Sequence, residues 1–224
     1  MLFRSGQWWT LFHSEPLNAL IGQALKTNPD LQAAQAALRQ TQETALAQRG
    51  PLFPQVDGQY NVTRQKISGA SFGQSGLNPI FTLSTAQVSV SYLVDIWGGT
   101  RRQIESAEAL AEEQEYQLEA TYLTLTSNVV TAAVQEASLR AQIVATEDII
   151  SAETQQLNLL QRQFDLGGAS KAAVLAQAAT LAQAKAGLPV LEKQLAQQRN
   201  LLAVLAGRFP SDEPSQKFEL ASMQ

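Results

Sequence analysis

Apolar side chains in the middle of the chain recur in alternate steps of three and four residues. From Leu118 to Phe164 this 3.5-residue repeat is sustained for nearly seven heptads. Because a 3.5-residue repeat keeps one stripe against a partner helix, the pattern predicts a coiled-coil seam. A helix of a large soluble bundle is the alternative, but such a helix would end sooner. The seam residues, of which three are polar, are Leu118, Tyr122, Leu125, Val129, Ala132, Glu136, Leu139, Ile143, Thr146, Ile150, Glu153, Leu157, Leu160 and Phe164.

The segment around this seam, Thr100 to Leu166, contains neither glycine nor proline. The absence of both helix breakers predicts one uninterrupted helix of roughly 100 Å, at 1.5 Å per residue. A tight turn should follow, because glycine favours a helix C-terminus and serine a helix N-cap. The turn residues are Leu166, Gly167, Gly168, Ala169 and Ser170.

A second heptad pattern follows the turn, with apolar residues every seventh position from Val174 to Leu202. This pattern predicts a helix that returns antiparallel along the first. Gly187 and Pro189 should kink or divide it, since proline removes a helical hydrogen bond. Gly207 should end it.

Before the long helix, the pattern predicts two shorter helices. One covers Pro16 to Lys26, and Asn28-Pro29 starts the other, since Asn is a favoured N-cap and Pro a favoured first residue. The second helix should run to about Arg49, where Gly50-Pro51 ends it.

From Val56 the hydrophobic period changes to two, the period of a strand. Two runs of about ten residues alternate in this way, separated by a Gly-, Ser- and Asn-rich loop at 67–79. A tilted strand of that length can cross a bilayer. A soluble hairpin that lies on a helix is the alternative.

The two runs predict one polar and one apolar face. Other strands must complete the sheet, since two strands alone leave backbone groups unpaired at their edges. The residues predicted to face a water-filled lumen are Asp57, Gln59, Asn61, Thr63, Gln87, Ser89 and Ser91. Those predicted to face lipid are Val56, Tyr60, Val62, Val88, Val90, Tyr92 and Val94.

A short segment should convert the second strand into the long helix. Two adjacent glycines permit a sharp change of backbone direction, and an aromatic residue beside them suits a membrane surface. The junction residues are Asp95, Trp97, Gly98 and Gly99.

Composition narrows the classes of function. The chain has 224 residues, with 33 Ala, 28 Gln and no Cys, and a net charge of −4. Alanine permits close helix packing, and glutamine gives polarity without charge, which suits packed helices beside water. The absence of a basic cluster argues against nucleic acid as a partner. The absence of cysteine excludes disulfides and thiolate metal sites.

The sequence shows no motif for catalysis, cofactor binding or metal binding. It contains no nucleophile and base pattern, no phosphate-binding glycine loop and no spaced His cluster. A single histidine, His13, is more typical of a surface or packing residue than of a ligand. Glu112, Glu113 and Glu115 spread over different faces of a helix, as solvated residues do. We therefore predict a protein that is not an enzyme.

The order of these features resembles the outer membrane factor family, the TolC-like exit ducts of tripartite efflux pumps. Its NodT-type lipoprotein branch is the most similar. The resemblance covers essentially the whole chain. It is carried by Trp8-Trp9, Phe12, Leu20-Ile21, Ala24-Leu25, Asn28-Pro29-Asp30-Leu31, Pro54, Ser91-Tyr92, Asp95-Ile96-Trp97-Gly98, Phe164 to Ser170, Leu188-Pro189 and Leu202-Ala203-Val204-Leu205-Ala206-Gly207.

The resemblance implies a homotrimer in the bacterial outer membrane that extends into the periplasm. In this family, strands from each chain close a β-barrel above a periplasmic barrel of helices, and exported small molecules pass through passively. The turn at 166–170 is then expected to contact a periplasmic adaptor, which joins the duct to an inner-membrane pump. Outer-membrane lipid is the other expected partner.

The sequence corresponds to one of the family's two structural repeats. The second repeat, the signal peptide and the lipid-bearing cysteine of the family are not in it, and we therefore expect a fragment, a truncated gene product or a half-length unit. Six half-length copies would supply the family's twelve strands.

The predicted fold is mainly α, with long antiparallel coiled-coil helices and a two-stranded hairpin that contributes to a membrane barrel. A soluble periplasmic coiled-coil scaffold or pump adaptor is the alternative function. The predicted segments are residues 1–54 with the short helices, 55–97 with the hairpin, 98–207 with the helical hairpin, and 208–224 as an irregular tail.

Overall fold

The computed structural model describes residues 7–67, 73, 80–211 and 218. Most of the loop predicted at 67–79 and of the tail predicted at 208–224 therefore lies outside the described residues. Four α-helices and two strands occur in the order α1 (Glu15–Thr27), α2 (Pro29–Ala47), β1 (Gln55–Lys66), β2 (Ile80–Ser91), α3 (Gly99–Asp165) and α4 (Lys171–Leu205). Short 3₁₀ helices cover Trp8–Phe12 and Gly50–Leu52. The prediction of a mainly α chain with one strand hairpin is confirmed.

The chain forms two compact units. One comprises Met1–Ala36 with Tyr116–Gln224, and the other comprises Ala37–Glu115. The predicted segment boundaries at 54, 97 and 207 stay predictions, because compactness does not test them. None of the described helices combines the length and the apolar character that a membrane crossing needs.

The hydrophobic core of the first unit is built around α1. This helix buries one complete face, formed by Leu17, Leu20, Ile21 and Ala24. Burial of each large aliphatic side chain contributes about 1.5–3 kcal/mol. The face packs in one cluster with Trp9, with Phe218 and with alanines of and beyond the long helices. Those alanines are Ala132, Ala133 and Ala137 of α3 and Ala206, which directly follows α4.

An aromatic contact adds to this core. The rings of Trp9 and Tyr122 are 6.1 Å apart between centroids, and Trp8 meets both Trp9 and Phe12 edge-on. Burial raises the pKa of the Tyr122 phenol above its usual value.

The long helix forms as predicted, displaced by one residue from the predicted span. α3 is a single helix of 67 residues. All but one of its fourteen predicted seam residues are buried or half-buried, the exception being Phe164 at the tip. The seam therefore keeps one face along α3, as a 3.5-residue repeat requires.

α4 runs antiparallel to α3 at constant register. The Gln198 amide donates to the carbonyl of Ala132 at 3.3 Å, and the Gln177 amide donates to the carbonyl of Glu153 at 3.4 Å. Between these two contacts each helix advances by the same number of residues, a whole number of heptads. The returning helix is thus confirmed.

The division predicted at Gly187-Leu188-Pro189 is wrong, because α4 continues through Pro189, and the alternative of a kink there stays a prediction. Proline removes the hydrogen bond to the carbonyl of Lys185. Pro189 and Lys185 are both exposed, so water can satisfy that carbonyl. The apolar seam on the other face of α4 is not affected.

The three polar residues of the α3 seam all have polar partners. Glu136 is only 1% exposed, and its carboxylate pairs with Arg140 one turn later and lies 3.5 Å from the Arg199 side chain of α4. The Glu153 carboxylate accepts from the Gln177 amide. The Thr146 hydroxyl donates to the carbonyl of Gln142 in its own helix. Each of the three side chains therefore has a polar partner, but one carboxylate oxygen of Glu136 and the Nε of Arg140 are buried without a hydrogen bond among the described residues, which costs stability.

The start of α2 and the end of α4 are joined by hydrogen bonds. The buried Asn28 amide oxygen accepts from the backbone of Asp30 and Leu31, at 3.0 and 3.1 Å, so Asn28 is the N-cap that the sequence predicts. Its amide nitrogen donates to the carbonyl of Leu205 at 3.1 Å. The Thr27 hydroxyl donates to the carbonyl of Ala206 at 2.6 Å. One side chain thus caps two helix ends.

Gly207 completes this junction. Its φ is +69°, the left-handed region, and a Cβ there would overlap the Thr27 carbonyl group. Only glycine fits both constraints.

We predict that Gly207→Ala lowers the free energy of unfolding by about 3 kcal/mol, through backbone strain and overlap. Gly187→Ala is the matched control, because no atom lies within 4 Å of its Cβ position in α4. It should raise stability by about 0.5–1 kcal/mol. Denaturant unfolding followed by helical circular dichroism measures both, and equal effects would contradict the assignment.

In the second unit, α2 and α3 also pack together. Ala45 and Ile104 are buried, and the Arg49 guanidinium lies 2.6 Å from the Glu108 carboxylate. This ion pair is half exposed and contributes at most about 1 kcal/mol. Removal of the apolar surface of Ala45 and Ile104 from water also stabilises this unit.

Candidate functional site

The first candidate site is the strand hairpin. β1 and β2 pair antiparallel, with Gln55 opposite Ser91 and Lys66 opposite Ile80. Because directly paired residues point to the same side of a sheet, this register assigns every side chain to a face. All seven residues predicted to line a lumen lie on one face: Asp57, Gln59, Asn61, Thr63, Gln87, Ser89 and Ser91. Five of those predicted to contact lipid lie on the other: Val56, Tyr60, Val62, Val88 and Val90.

The contrast between the faces is strongest near Gln55 and Ser91. There valines pair with valines or small residues, and glutamines and serines pair with each other. Further along the hairpin, Val62 is opposite Ser84 and Thr63 is opposite Leu83, so the contrast disappears.

Every residue of both strands is exposed, including large apolar ones such as Val56 at 65% and Val88 at 74%. The outer edges of the two-stranded sheet also leave backbone N–H and C=O groups without a strand partner among the described residues. A sheet of this kind is stable only when other surfaces cover its faces and pair with its edges.

The prediction that Tyr92 and Val94 lie in the second strand is wrong, because β2 ends at Ser91. The position opposite Tyr92 in the register is Pro54, which has no N–H to donate. Residues 92–95 therefore have no strand partner, although Tyr92 and Val94 are exposed, at 53% and 61%.

The second strand also begins earlier than predicted. Ile80 to Thr85 belong to β2, although the alternation that predicts this strand is regular only from Ala86 onward. Phe81 and Leu83 interrupt the alternation of apolar and polar residues. In this part of β2, the sequence indicates a strand through the β propensity of its residues and not through a two-residue period.

At the strand-to-helix junction, the predicted residues act together. The Asp95 carboxylate accepts from the backbone N–H of Arg101 at 3.1 Å and satisfies a free donor at the start of α3. Gly98 has φ +74°, and Gly99 is the first residue of α3. Trp97 is 95% exposed. The turn thus presents an indole ring outward beside a capped helix.

The second candidate site is the turn between α3 and α4. The N–H of Gly168 donates to the carbonyl of Gln163 at 2.7 Å, and the N–H of Gly167 donates to that of Phe164 at 2.9 Å. This pair of bonds, with Gly167 at φ +80°, is a Schellman motif. The Ser170 hydroxyl accepts from the N–H of Ala173 at 3.2 Å and caps α4.

The turn presents a small, exposed surface. Leu166 is 88% exposed, Gly167, Gly168 and Ser170 are exposed, and Ala169 is half-buried. Among the described residues, no group of three His, Cys, Asp or Glu side chains is placed to hold a metal ion.

We predict that Gly167→Ala destabilises the turn by about 1 kcal/mol, because alanine is disfavoured at positive φ. Gly168→Ala is the matched control, since its Cβ would meet only the Gln163 carbonyl at an ordinary 3.5 Å. Hydrogen exchange of amides near the turn measures the difference. Equal exchange in the two variants would contradict this account.

The chain matches the family model described as "Outer membrane efflux protein" over residues 20–208. It is 33% identical over 221 residues to the pyoverdine export outer membrane protein OpmQ of Pseudomonas aeruginosa, covering 96% of the chain and 45% of OpmQ. It is 28% identical over 207 residues to the probable efflux pump outer membrane protein TtgC of Pseudomonas putida, covering 92% of the chain and 43% of TtgC. The chain thus spans a little under half the length of these curated relatives.

Solved structures share the fold. The outer membrane protein VceC of Vibrio cholerae superposes with a TM-score of 0.83 at 24% identity, over 96% of this chain and 52% of VceC. The CmeC outer membrane channel of Campylobacter jejuni gives a TM-score of 0.81 at 21% identity, over 96% and 47% of the two chains.

Proposed function

The chain belongs to the outer membrane efflux protein family, and from this premise we propose that it forms part of the outer-membrane exit duct of a tripartite efflux pump. In this role it is a passive conduit for small molecules. The observation that carries the proposal is the hairpin register, which separates a polar from an apolar face on strands joined to a long helical hairpin.

The hairpin suits a place in a membrane barrel. Each strand has 12 residues, slightly more than a tilted strand needs to cross the hydrocarbon layer. The apolar face would contact lipid, the polar face would line water, and the open edges would pair with strands of other copies or of a further repeat. The exposed indole of Trp97 suits the membrane surface.

The helical hairpin suits the periplasmic part. The seam between α3 and α4 holds two antiparallel helices side by side over many heptads, and such a pair is the repeating element of a wall of helices. The turn at 166–170 would be its end, in contact with a periplasmic adaptor that is joined to an inner-membrane pump. A homotrimer is the assembly that we propose for the full-length protein.

Spin labels test the faces of the hairpin in protein reconstituted into lipid vesicles. We expect labels at Gln59 and Gln87 to collide with a water-soluble nickel reagent, and labels at Tyr60 and Val88 to collide with oxygen dissolved in lipid. Gln59 and Tyr60 are neighbours in β1, and Gln87 and Val88 are neighbours in β2. The two labels compared within each strand therefore lie at nearly the same depth in the membrane. Equal accessibility, or release of the protein from membranes by salt alone, would contradict the barrel and favour a soluble scaffold.

A photoreactive amino acid at Leu166 tests the adaptor contact in cells. We expect it to cross-link to a periplasmic protein that has a helical hairpin of its own, identified by mass spectrometry. The same amino acid at Val144, which is 53% exposed on α3, is the control and should not give this product. A product formed equally from both positions would argue against a contact at the turn.

A further inference from the structure

α3 carries a third regular stripe besides its two packed faces. Its members recur in steps of four and three, as the seam residues do, but each is polar and uncharged. We call these eight residues the uncharged stripe: Gln117, Thr121, Thr124, Asn128, Thr131, Gln135, Ser138 and Gln142.

The uncharged stripe lies away from both packed faces. The first of those faces is the seam with α4, and the second contains Thr126, Val130, Ala133 and Ala137, all of them buried in the first unit. Six of the eight stripe residues are exposed and two, Thr121 and Ser138, are half-buried.

The stripe has a different composition from a surface that faces bulk solvent. From Ala120 to Gln135 α3 has no charged residue at any position. Surfaces in bulk water carry roughly a quarter or more of charged residues. Other parts of α3 have them, with glutamates at 105, 108, 112, 113, 115 and 119 before this segment and acidic residues at 147, 148 and 153 after it.

The stripe also differs from a face that packs against another helix. It contains no apolar side chain to drive packing, whereas both packed faces of the same helix do. Some of its polar groups are satisfied within the helix. The Thr121 hydroxyl donates to the carbonyl of Gln117 at 2.8 Å, and the Gln142 amide donates to the Ser138 hydroxyl at 3.1 Å.

Part of the stripe borders a concave surface. Gln117, Thr121, Thr124 and Asn128 line an open groove of about 290 Å³ in the first unit. Asp30 is the charged residue that lines it.

We propose that the uncharged stripe is a wall of the water-filled passage, and therefore a surface that exported solutes contact. This inference rests on the proposed function. Hydroxyl and amide groups keep the wall hydrated, and the absence of charge lets solutes of either sign pass without strong binding. Along this part of α3, the passage would therefore admit both positively and negatively charged solutes.

Single cysteines test the stripe, because the chain has no native cysteine. Thr124→Cys and Thr131→Cys place thiols on it, and Ser151→Cys places a thiol on another exposed position of α3. The assembled protein, purified from outer membranes, is inserted into planar bilayers. Its conductance is measured before and after reaction with a cationic methanethiosulfonate, and mass spectrometry checks the modification.

We expect modification at Thr124→Cys and Thr131→Cys to lower conductance and to shift ion selectivity toward anions, with no change for Ser151→Cys. Modified stripe thiols that leave conductance unchanged would overturn the inference, although the duct would stand. Thiols that react only after denaturation would overturn it too, and would assign the stripe to an interface between copies. A complete absence of conductance in the unsubstituted protein would instead refute the duct itself.

Discussion

The buried amide of Asn28 holds the helical unit together. Its oxygen caps the start of α2. Its nitrogen donates to the carbonyl of Leu205 in the last turn of α4, 177 positions away in the chain. The Thr27 hydroxyl and the left-handed Gly207 complete the contact, and the Arg208 guanidinium donates to the Gln23 amide at 2.7 Å beside it. Without these bonds, two helix ends would expose unsatisfied backbone groups inside a packed region.

This junction also explains how α1 can bury a whole face. Once the end of α4 is tied to the start of α2, α3 and the end of α4 form a surface of alanine, valine and leucine residues beside α1. Small residues let helices approach closely, and the large side chains Leu17, Leu20 and Ile21 fill the remaining space. The polar bonds and the apolar core therefore depend on each other.

Local chemistry decided how much of the fold was predictable. The span of α3 was predicted to within one residue, since Gly98 and Gly99 stand at its start and Gly167 lies just beyond its end. The turn at 166–170 was predictable because its hydrogen bonds join residues near in sequence. The second role of Asn28 was not, because nothing in the local sequence indicates a partner so distant. The predicted limits of β2 were wrong at its start, where Phe81 interrupts the alternation, and at its end, where Pro54 removes a pairing partner.

The sequence predicts which side chains of the hairpin share a face, but it does not predict what each face contacts. The alternation of β1 and β2 assigns side chains to faces, and the register brings each set together. What each face contacts depends on neighbouring strands that a single hairpin does not contain. Along α3, the uncharged stripe has the same spacing as the seam, but polar side chains at that spacing do not predict a packed face.

The buried charge at Glu136 has a consequence for the alignment of α3 and α4. Their apolar residues repeat every seventh position, so an offset of one heptad would bury the same kinds of side chain. The polar partners do not repeat, because seven residues from Arg199 lie Glu192 in one direction and Ala206 in the other. An offset pair would face Glu136 with a like charge or leave it paired only with Arg140 of its own helix, and the loss of Arg199 beside a buried carboxylate would lower stability. Gln177 and Gln198 would likewise be replaced by Ser170 or Ala184 and by Leu191 or Leu205. The two helices of the hairpin are therefore held in a single register, so every copy of the chain has a helical hairpin of the same length. When several copies pack side by side, their turns can then lie at the same level.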